Sequence, residues 1–150
     1  MTYGYEQAEE FLELCYKFWE GSWENDAVLK DKKQRIFTDP SKVHQIQHQG
    51  QFYQSQGVFQ VSPSVQRTPV LFQAGASPRG LTFATQHAEG LFIGGDRPEK
   101  IKQQVDQIRN KATAQGRNPE AIKIFVGITV VTAETDELAQ QKLDEYIRYA

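Results

Sequence analysis

The second half of the chain alternates between short apolar runs and helical stretches, and that alternation constrains the fold more than any other feature. Pro69 opens the run Val70-Leu71-Phe72-Gln73-Ala74-Gly75, residues 77–88 read as a helix, and Gly90-Leu91-Phe92-Ile93-Gly94 is a second apolar run. Pro98 begins a long helix through about Gln115, with Ile101, Val105, Ile108 and Ala112 on one stripe. "IKIFVGITVV" at 122–131 is a third run, and a last helix over 135–149 starts at Thr135. Strand and helix in strict succession with short connections predict an α/β fold of parallel βαβ units. The runs are almost continuously apolar, as in strands covered on both faces. Val70–Gln73, Leu91–Ile93 and Ile124–Val131 are therefore expected to be adjacent parallel strands.

A doubly wound sheet and a (β/α)8 barrel share this local pattern. A barrel takes about 250 residues, whereas this chain has 150 and shows three convincing strands. On the barrel alternative the chain is a fragment whose early strands are missing, in keeping with a helix directly after Met1. That helix spans 5–20, where Ala8, Phe11, Leu12, Cys15, Phe18 and Trp19 recur at spacings of three and four before Gly21 ends the pattern. Residues 21–68 differ in texture. Apolar residues thin out, glutamine is frequent, and "VHQIQHQGQFYQSQGVFQV" alternates every second residue around Gly50 and Gly57. This part reads as an insertion with a β-hairpin, lying outside the βα units of 69–150.

Composition narrows the function classes. The net charge is −2, from 17 basic and 19 acidic residues, and no basic face is clustered. Tight nucleic-acid binding needs such a face, so nucleic acid is not an expected partner. No apolar run reaches the roughly 20 residues of a membrane span, and Glu6, Glu9 and Glu10 stand where a signal peptide needs basic and then apolar residues. The single cysteine, Cys15, excludes an internal disulfide and sits among Leu12, Leu14 and Phe18 as a buried, inert thiol. The expected location is cytoplasmic.

The junction "QAGASPRG" (73–80) is where chemistry concentrates. A strand end, then Ala74-Gly75-Ala76, then a helix start at Ser77-Pro78 makes a competent oxyanion cradle. The first N–H groups of a helix have no intrahelical partners and, with the helix dipole, favour a phosphate. Ser77 offers a hydroxyl, Gly75 permits close approach of the backbone, and Pro78 occupies the first helical position, where its absent N–H is not missed. The plainer alternative makes Ser77 an N-cap and the small residues a means of tight packing.

"QAGASPRGLTFATQHAEGLF", "YEQAEEFLELCYKFWEGSWENDAV" (5–28), "DPSKVHQIQHQGQFYQSQG" (39–57) and "RTPVLFQAGASPRG" (67–80) together resemble the bacterial luciferase-like flavin-dependent monooxygenases. The branch is the one with nitrilotriacetate monooxygenase component A, dibenzothiophene-sulfone monooxygenase and long-chain alkane monooxygenase. The resemblance covers nearly the whole chain in the family's order. It implies the C-terminal part of a luciferase-like (β/α)8 TIM barrel: about three parallel strands with helices on one side only, plus an insertion, as a single partial domain over 1–150.

The resemblance further implies reduced FMN (FMNH2) as cofactor, a separate NAD(P)H:flavin reductase, O2 and a small organic substrate as partners, and a homo-oligomer at full length. The family segment equivalent to Ala76-Ser77 holds the flavin phosphate. A tyrosine in an Arg-Tyr-x-x-Ala-x-Glu-Phe pattern contacts the same cofactor; here the pattern reads Gly4-Tyr5-Glu6-Gln7-Ala8-Glu9-Glu10-Phe11, so Tyr5 matches and Gly4 replaces the arginine. Tyr5, Ala76 and Ser77 are the implied cofactor-binding residues, and no catalytic residue carries over.

Other candidates have plainer readings. His44 and His48 are four apart and could share one side of a strand, but zinc needs further ligands at suitable spacing, so no metal site is expected. His87 reads as packing against the strands. In "GGDRPE" (94–99), Asp96 as N-cap and Pro98 in the first turn account for the turn. The charge run Lys30 to Arg35 reads as a solvated part of the insertion. Three functional readings stand: an FMNH2-dependent monooxygenase present as a fragment, a non-catalytic remnant of such an enzyme with open sheet edges, and a deazaflavin-dependent oxidoreductase of the same superfamily.

Overall fold

The computed structural model describes residues 3–75 and 77–149. Helix α1 (Tyr3–Gly21) leads into two small antiparallel hairpins, β1 (Val28–Asp31) with β2 (Ile36–Thr38) and β3 (Ile46–Gln49) with β4 (Gln54–Gly57). There follow β5 (Phe72–Ala74), α2 (Pro78–His87), β6 (Gly90–Gly94), α3 (Pro98–Ala114), β7 (Lys123–Gly127) and α4 (Asp136–Tyr149).

The strands β5, β6 and β7 form one parallel sheet in sequence order, with Phe72 opposite Gly90, Phe92 opposite Phe125 and Gly94 opposite Gly127. The expected alternation is present, with different strand ends. Strand β5 starts at Phe72 rather than Val70 because β6 offers a partner only from Gly90; Leu71 instead accepts from the Glu89 and Gly90 amides. Strand β7 ends at Gly127 rather than Val131. Its partner β6 ends at the facing Gly94, and ladder pairing stops there.

Helices α2 and α3 cover one face of this sheet. Ala84 and Ala88 of α2, Ile108 and Ala112 of α3, and Leu91, Ile93 and Ile122 make the main core cluster. Small alanines on the helices let the backbones approach the sheet closely, and the branched residues of β6 fill the space between them. The turn after α3 is fixed by Gly116, whose φ of 76° is left-handed, and by the Arg117 amide bonding the Ala112 carbonyl. The Arg117 guanidinium then donates to the carbonyls of Thr85 and Ala88, closing the far end of α2.

The opposite face is not covered by any described residue. Phe72, Phe92 and Phe125 cluster on it, with all three ring centroids 5.2 to 5.8 Å apart and each residue about half exposed. The Phe72 ring lies across Gly90, so closely that a Cβ there would sit under 3.0 Å from it. The apolar runs thus have two apolar faces, and the helices cover only one of them.

The insertion docks on α1. The alternating segment forms the expected hairpin, in which Ile46 and His48 point inward and Gln47 and Gln49 outward. The stripe on α1 is broader than a single core face: no α1 residue is fully buried, because one side meets α2 and another meets the β3–β4 hairpin. The charged run 30–35 covers the end of β1 and the exposed turn that joins it to β2, tied by Asp31 accepting from the amides of Lys33 and Gln34. Among the described residues, no helix is long and apolar enough to cross a membrane.

Candidate functional site: the first turn of α2 against α1

The helix α2 begins where β5 ends, and Gly75 bridges the two with a φ of 129°, a conformation that side chains rarely adopt. Ser77 is the N-cap of α2, its Oγ accepting from the Gly80 amide at 3.0 Å. Pro78 follows in the first turn as expected. Capping engages an oxygen lone pair and leaves the hydroxyl proton available to an acceptor outside the helix, so the two readings of Ser77 are compatible. The Arg79 amide, next in the first turn, has no intrahelical partner by construction. Two donors and the positive end of the helix dipole therefore belong to the same turn.

The structure brings Tyr5 to this point. Its hydroxyl and the Ser77 Oγ both flank Gly80, and a Cβ on Gly80 would lie under 3.0 Å from each. The Tyr5 ring packs on Phe83 of α2 with centroids 5.7 Å apart, and the Arg79 guanidinium carbon lies 5.8 Å from the Tyr5 centroid. Two of the three sequence-derived candidates, Tyr5 and Ser77, thus converge on one turn. The third, Ala76, lies outside the described residues. Gly4 has open space around it, and the cation nearest the Tyr5 ring comes instead from α2, as Arg79.

Two residues escaped the sequence reading. Gly80 is one, although a glycine in the first turn of a short helix, at a cost of about 1 kcal/mol in propensity, is a readable sign of close approach. Arg79 is the other. Its role depends on α1 crossing α2, which local spacing does not encode.

Around this turn the helix pair is tied by a polar chain. Glu9 on α1 lies 3.4 Å from the Arg79 Nη2 and accepts from the His87 Nε2 at 2.7 Å. The other ring nitrogen of His87, Nδ1, is hydrogen-bonded to the Tyr16 hydroxyl at 3.1 Å. Burial pushes the Tyr16 phenol above its ordinary range, which keeps it a donor. His87 therefore packs between helices, on α1 and Phe83, rather than against the strands alone. It also borders an apolar cleft of about 200 Å³ between α1 and β5, lined by Phe11, Leu12, Leu71 and Phe83.

The remaining candidates separate. His44 is an exposed partner of Glu24 at 2.6 Å. His48 is buried on the hairpin, its Nδ1 3.1 Å from the Lys17 ammonium and its Nε2 3.2 Å from Glu10. The two histidines do not share a site, and no group of three or more potential metal ligands occurs among the described residues. Cys15 is half-buried rather than fully buried, and desolvation raises its thiol pKa, which suppresses the reactive thiolate. Asp96 does not cap α3. The N-cap is Arg97, with no side-chain bond, while Asp96 pairs with Lys100 at 2.9 Å, an ion pair that lowers its pKa.

Comparison with known proteins places the chain as a whole. The family model described as luciferase-like monooxygenase matches residues 3–150. The chain is 53% identical over 146 residues to dimethyl-sulfide monooxygenase of Hyphomicrobium sulfonivorans, covering 97% of this chain and 30% of the relative. It is 50% identical over 145 residues to long-chain alkane monooxygenase of Geobacillus thermodenitrificans, covering 97% and 33%. The crystal structure of a riboflavin lyase with modified FMN and riboflavin superposes with a TM-score of 0.86 at 47% identity, covering 94% of this chain and 31% of that one. The chain thus spans about a third of the length of the relatives it matches. Its parallel three-stranded sheet and helices match the C-terminal part of luciferase-like (β/α)8 barrel enzymes. The chain belongs to the luciferase-like monooxygenase family.

Proposed function

We propose that residues 1–150 are part of a single barrel domain of an FMNH2-dependent, two-component monooxygenase, and that the first turn of α2 holds the phosphate of the flavin. The observation that carries this reading is the convergence of the Tyr5 hydroxyl and the Ser77 Oγ on Gly80, at the helix N-terminus that follows the carboxyl end of β5. In barrels the carboxyl ends of the strands are the face where ligands bind. The donor set suits a phosphate: a hydroxyl with its proton free, a first-turn amide and the dipole of the helix.

On this reading Ser77 donates its hydroxyl to a phosphate oxygen while its lone pair keeps the Gly80 amide. The Tyr5 hydroxyl closes the same side, and Ala76, the third residue of the set, directly precedes Ser77 in the sequence. The cofactor, when bound, supplies the electrons with which O2 is activated so that one oxygen atom enters an organic substrate. The protein's part at this turn is to anchor and orient: it binds the end of the cofactor farthest from the ring chemistry. A separate NAD(P)H:flavin reductase provides the reduced flavin, and the enzyme works in the cytoplasm as a homo-oligomer. Kinship with a dimethyl-sulfide and an alkane monooxygenase, and with a riboflavin lyase crystallised with modified FMN, supports the flavin assignment.

Titration of isotopically labelled chain with FMN and with riboflavin tests the reading by amide chemical shifts. FMN is expected to move the Gly75, Ser77, Arg79 and Gly80 signals and riboflavin to leave them in place. Shifts that are the same for both ligands, or that avoid this turn, would refute the phosphate assignment.

A further inference from the structure

We infer that Glu9 is a positioning residue for this site: it draws Arg79 across the Tyr5 ring, and Arg79 in turn keeps the Tyr5 hydroxyl against Gly80 beside Ser77. The inference rests on the reading of the α2 first turn as the phosphate site. Glu9 lies four residues after Tyr5 on α1, one turn along the same face. Its two carboxylate oxygens face opposite ends of α2. Oε2 accepts from His87 in the last turn at 2.7 Å, and Oε1 lies 3.4 Å from Arg79 in the first.

The His87 bond is the anchor. A carboxylate only accepts, so His87 Nε2 carries a hydrogen, and the other ring nitrogen, Nδ1, pairs with the Tyr16 hydroxyl 3.1 Å away. With both ring nitrogens engaged, the imidazole has one orientation, and that fixes where the second oxygen of Glu9 stands. Arg79 is 36% exposed at its side chain and would otherwise be free to extend into solvent. Reaching Glu9 takes its guanidinium across the Tyr5 ring, where the ring face attracts it. Tyr5 thereby has Phe83 and Arg79 as neighbours, at 5.7 and 5.8 Å. The consequence is a cation held within the first turn of α2 and a tyrosine hydroxyl fixed at the same turn.

The test uses the 150-residue chain and the variants Glu9→Gln, Arg79→Gln, Arg79→Lys and the double variant Glu9→Gln/Arg79→Gln. The first readout is the nuclear Overhauser contact between the Tyr5 ring and the Gly80 α-protons; the second is the dissociation constant for FMN with riboflavin as control. Both glutamine variants are expected to lose the contact and to weaken FMN binding about threefold, the scale of a partly exposed ion pair. The double variant should be no worse than either single one, because Glu9 acts through Arg79. Arg79→Lys, which keeps the cation, should restore the contact. Should Glu9→Gln prevent folding, Arg79→Gln tests the same link with the Glu9–His87 pair intact. A retained contact in Arg79→Gln, or additive losses in the double variant, would overturn the inference. If the contact responds as expected but wild-type chain binds FMN and riboflavin equally, the positioning stands and the phosphate reading is the one that fails.

Discussion

The hydroxyl of Tyr5 on α1 stands so close to the α-carbon of Gly80 on α2 that no side chain fits between them. Alanine is the better helix former by about 1 kcal/mol, yet overpacking at such a contact costs about 1–3 kcal/mol. Gly80→Ala is therefore expected to lower the unfolding free energy by about 1 kcal/mol, measured by denaturant titration. In a Tyr5→Phe background the nearer of the two obstacles is removed, the Ser77 Oγ remains, and the loss should shrink. An equal loss in both backgrounds would mean that Tyr5 is not what glycine accommodates.

Neighbouring residues of β6 should behave oppositely. Leu91 points into the α2–α3 core at 1% exposure, whereas Phe92 points to the uncovered face at 50%. Leu91→Ala is expected to cost about 2–5 kcal/mol through the cavity it leaves. Phe92→Ser loses two aromatic contacts, about 0.5–1.5 kcal/mol each, and should also reduce binding of an apolar dye to the exposed cluster. Similar losses for the two variants in denaturant titration would mean that both faces are covered.

Glu10 ties the insertion to α1. Its carboxylate accepts from the amides of Phe52 and Tyr53 and from His48. Burial raises its pKa, but these hydrogen bonds outweigh it, and the net shift is downward. A carboxylate with a depressed folded pKa contributes stability above its unfolded pKa and loses it as pH falls through the folded value. Hydrogen exchange at the Phe52 and Tyr53 amides should thus stay slow through neutral pH and accelerate below the ordinary carboxylate range, after correction for intrinsic rates. Glu10→Gln should accelerate it about tenfold at neutral pH. Protection that is unaffected by the substitution would show that the loop holds itself.

The order of strands and helices was legible because the period changes abruptly along the chain, from apolar runs at Phe72 and Leu91 to the four-residue stripe of Ile101, Val105 and Ile108. Strand ends were not, since pairing stops where a neighbour stops: Ile128, Val130 and Val131 continue the apolar run of Ile124 but pass beyond Gly94. Asp96 looked like a cap and is an ion-pair partner of Lys100, a choice between two short-range bonds that composition does not decide. The sequence singles out Tyr5 through a motif and Ser77 through a strand–helix junction. Their meeting at Gly80, and the Arg79–Glu9–His87 chain around it, arise from the crossing of helices distant in sequence.

The phosphate claim is tested most directly by comparing Ser77→Ala with Ser77→Asp in a full-length barrel that contains these residues. The alanine variant removes one hydroxyl donor to a charged acceptor, worth about 1.5–3 kcal/mol, and keeps the first-turn amide and the dipole. FMN affinity measured by flavin fluorescence titration should fall about tenfold to a hundredfold. Aspartate caps a helix as well as serine does, so the fold is retained, but its carboxylate occupies the place of the anion and repels it. The account predicts much weaker FMN binding by Ser77→Asp than by Ser77→Ala. Binding by the aspartate variant that equals or exceeds that of the alanine variant would contradict it.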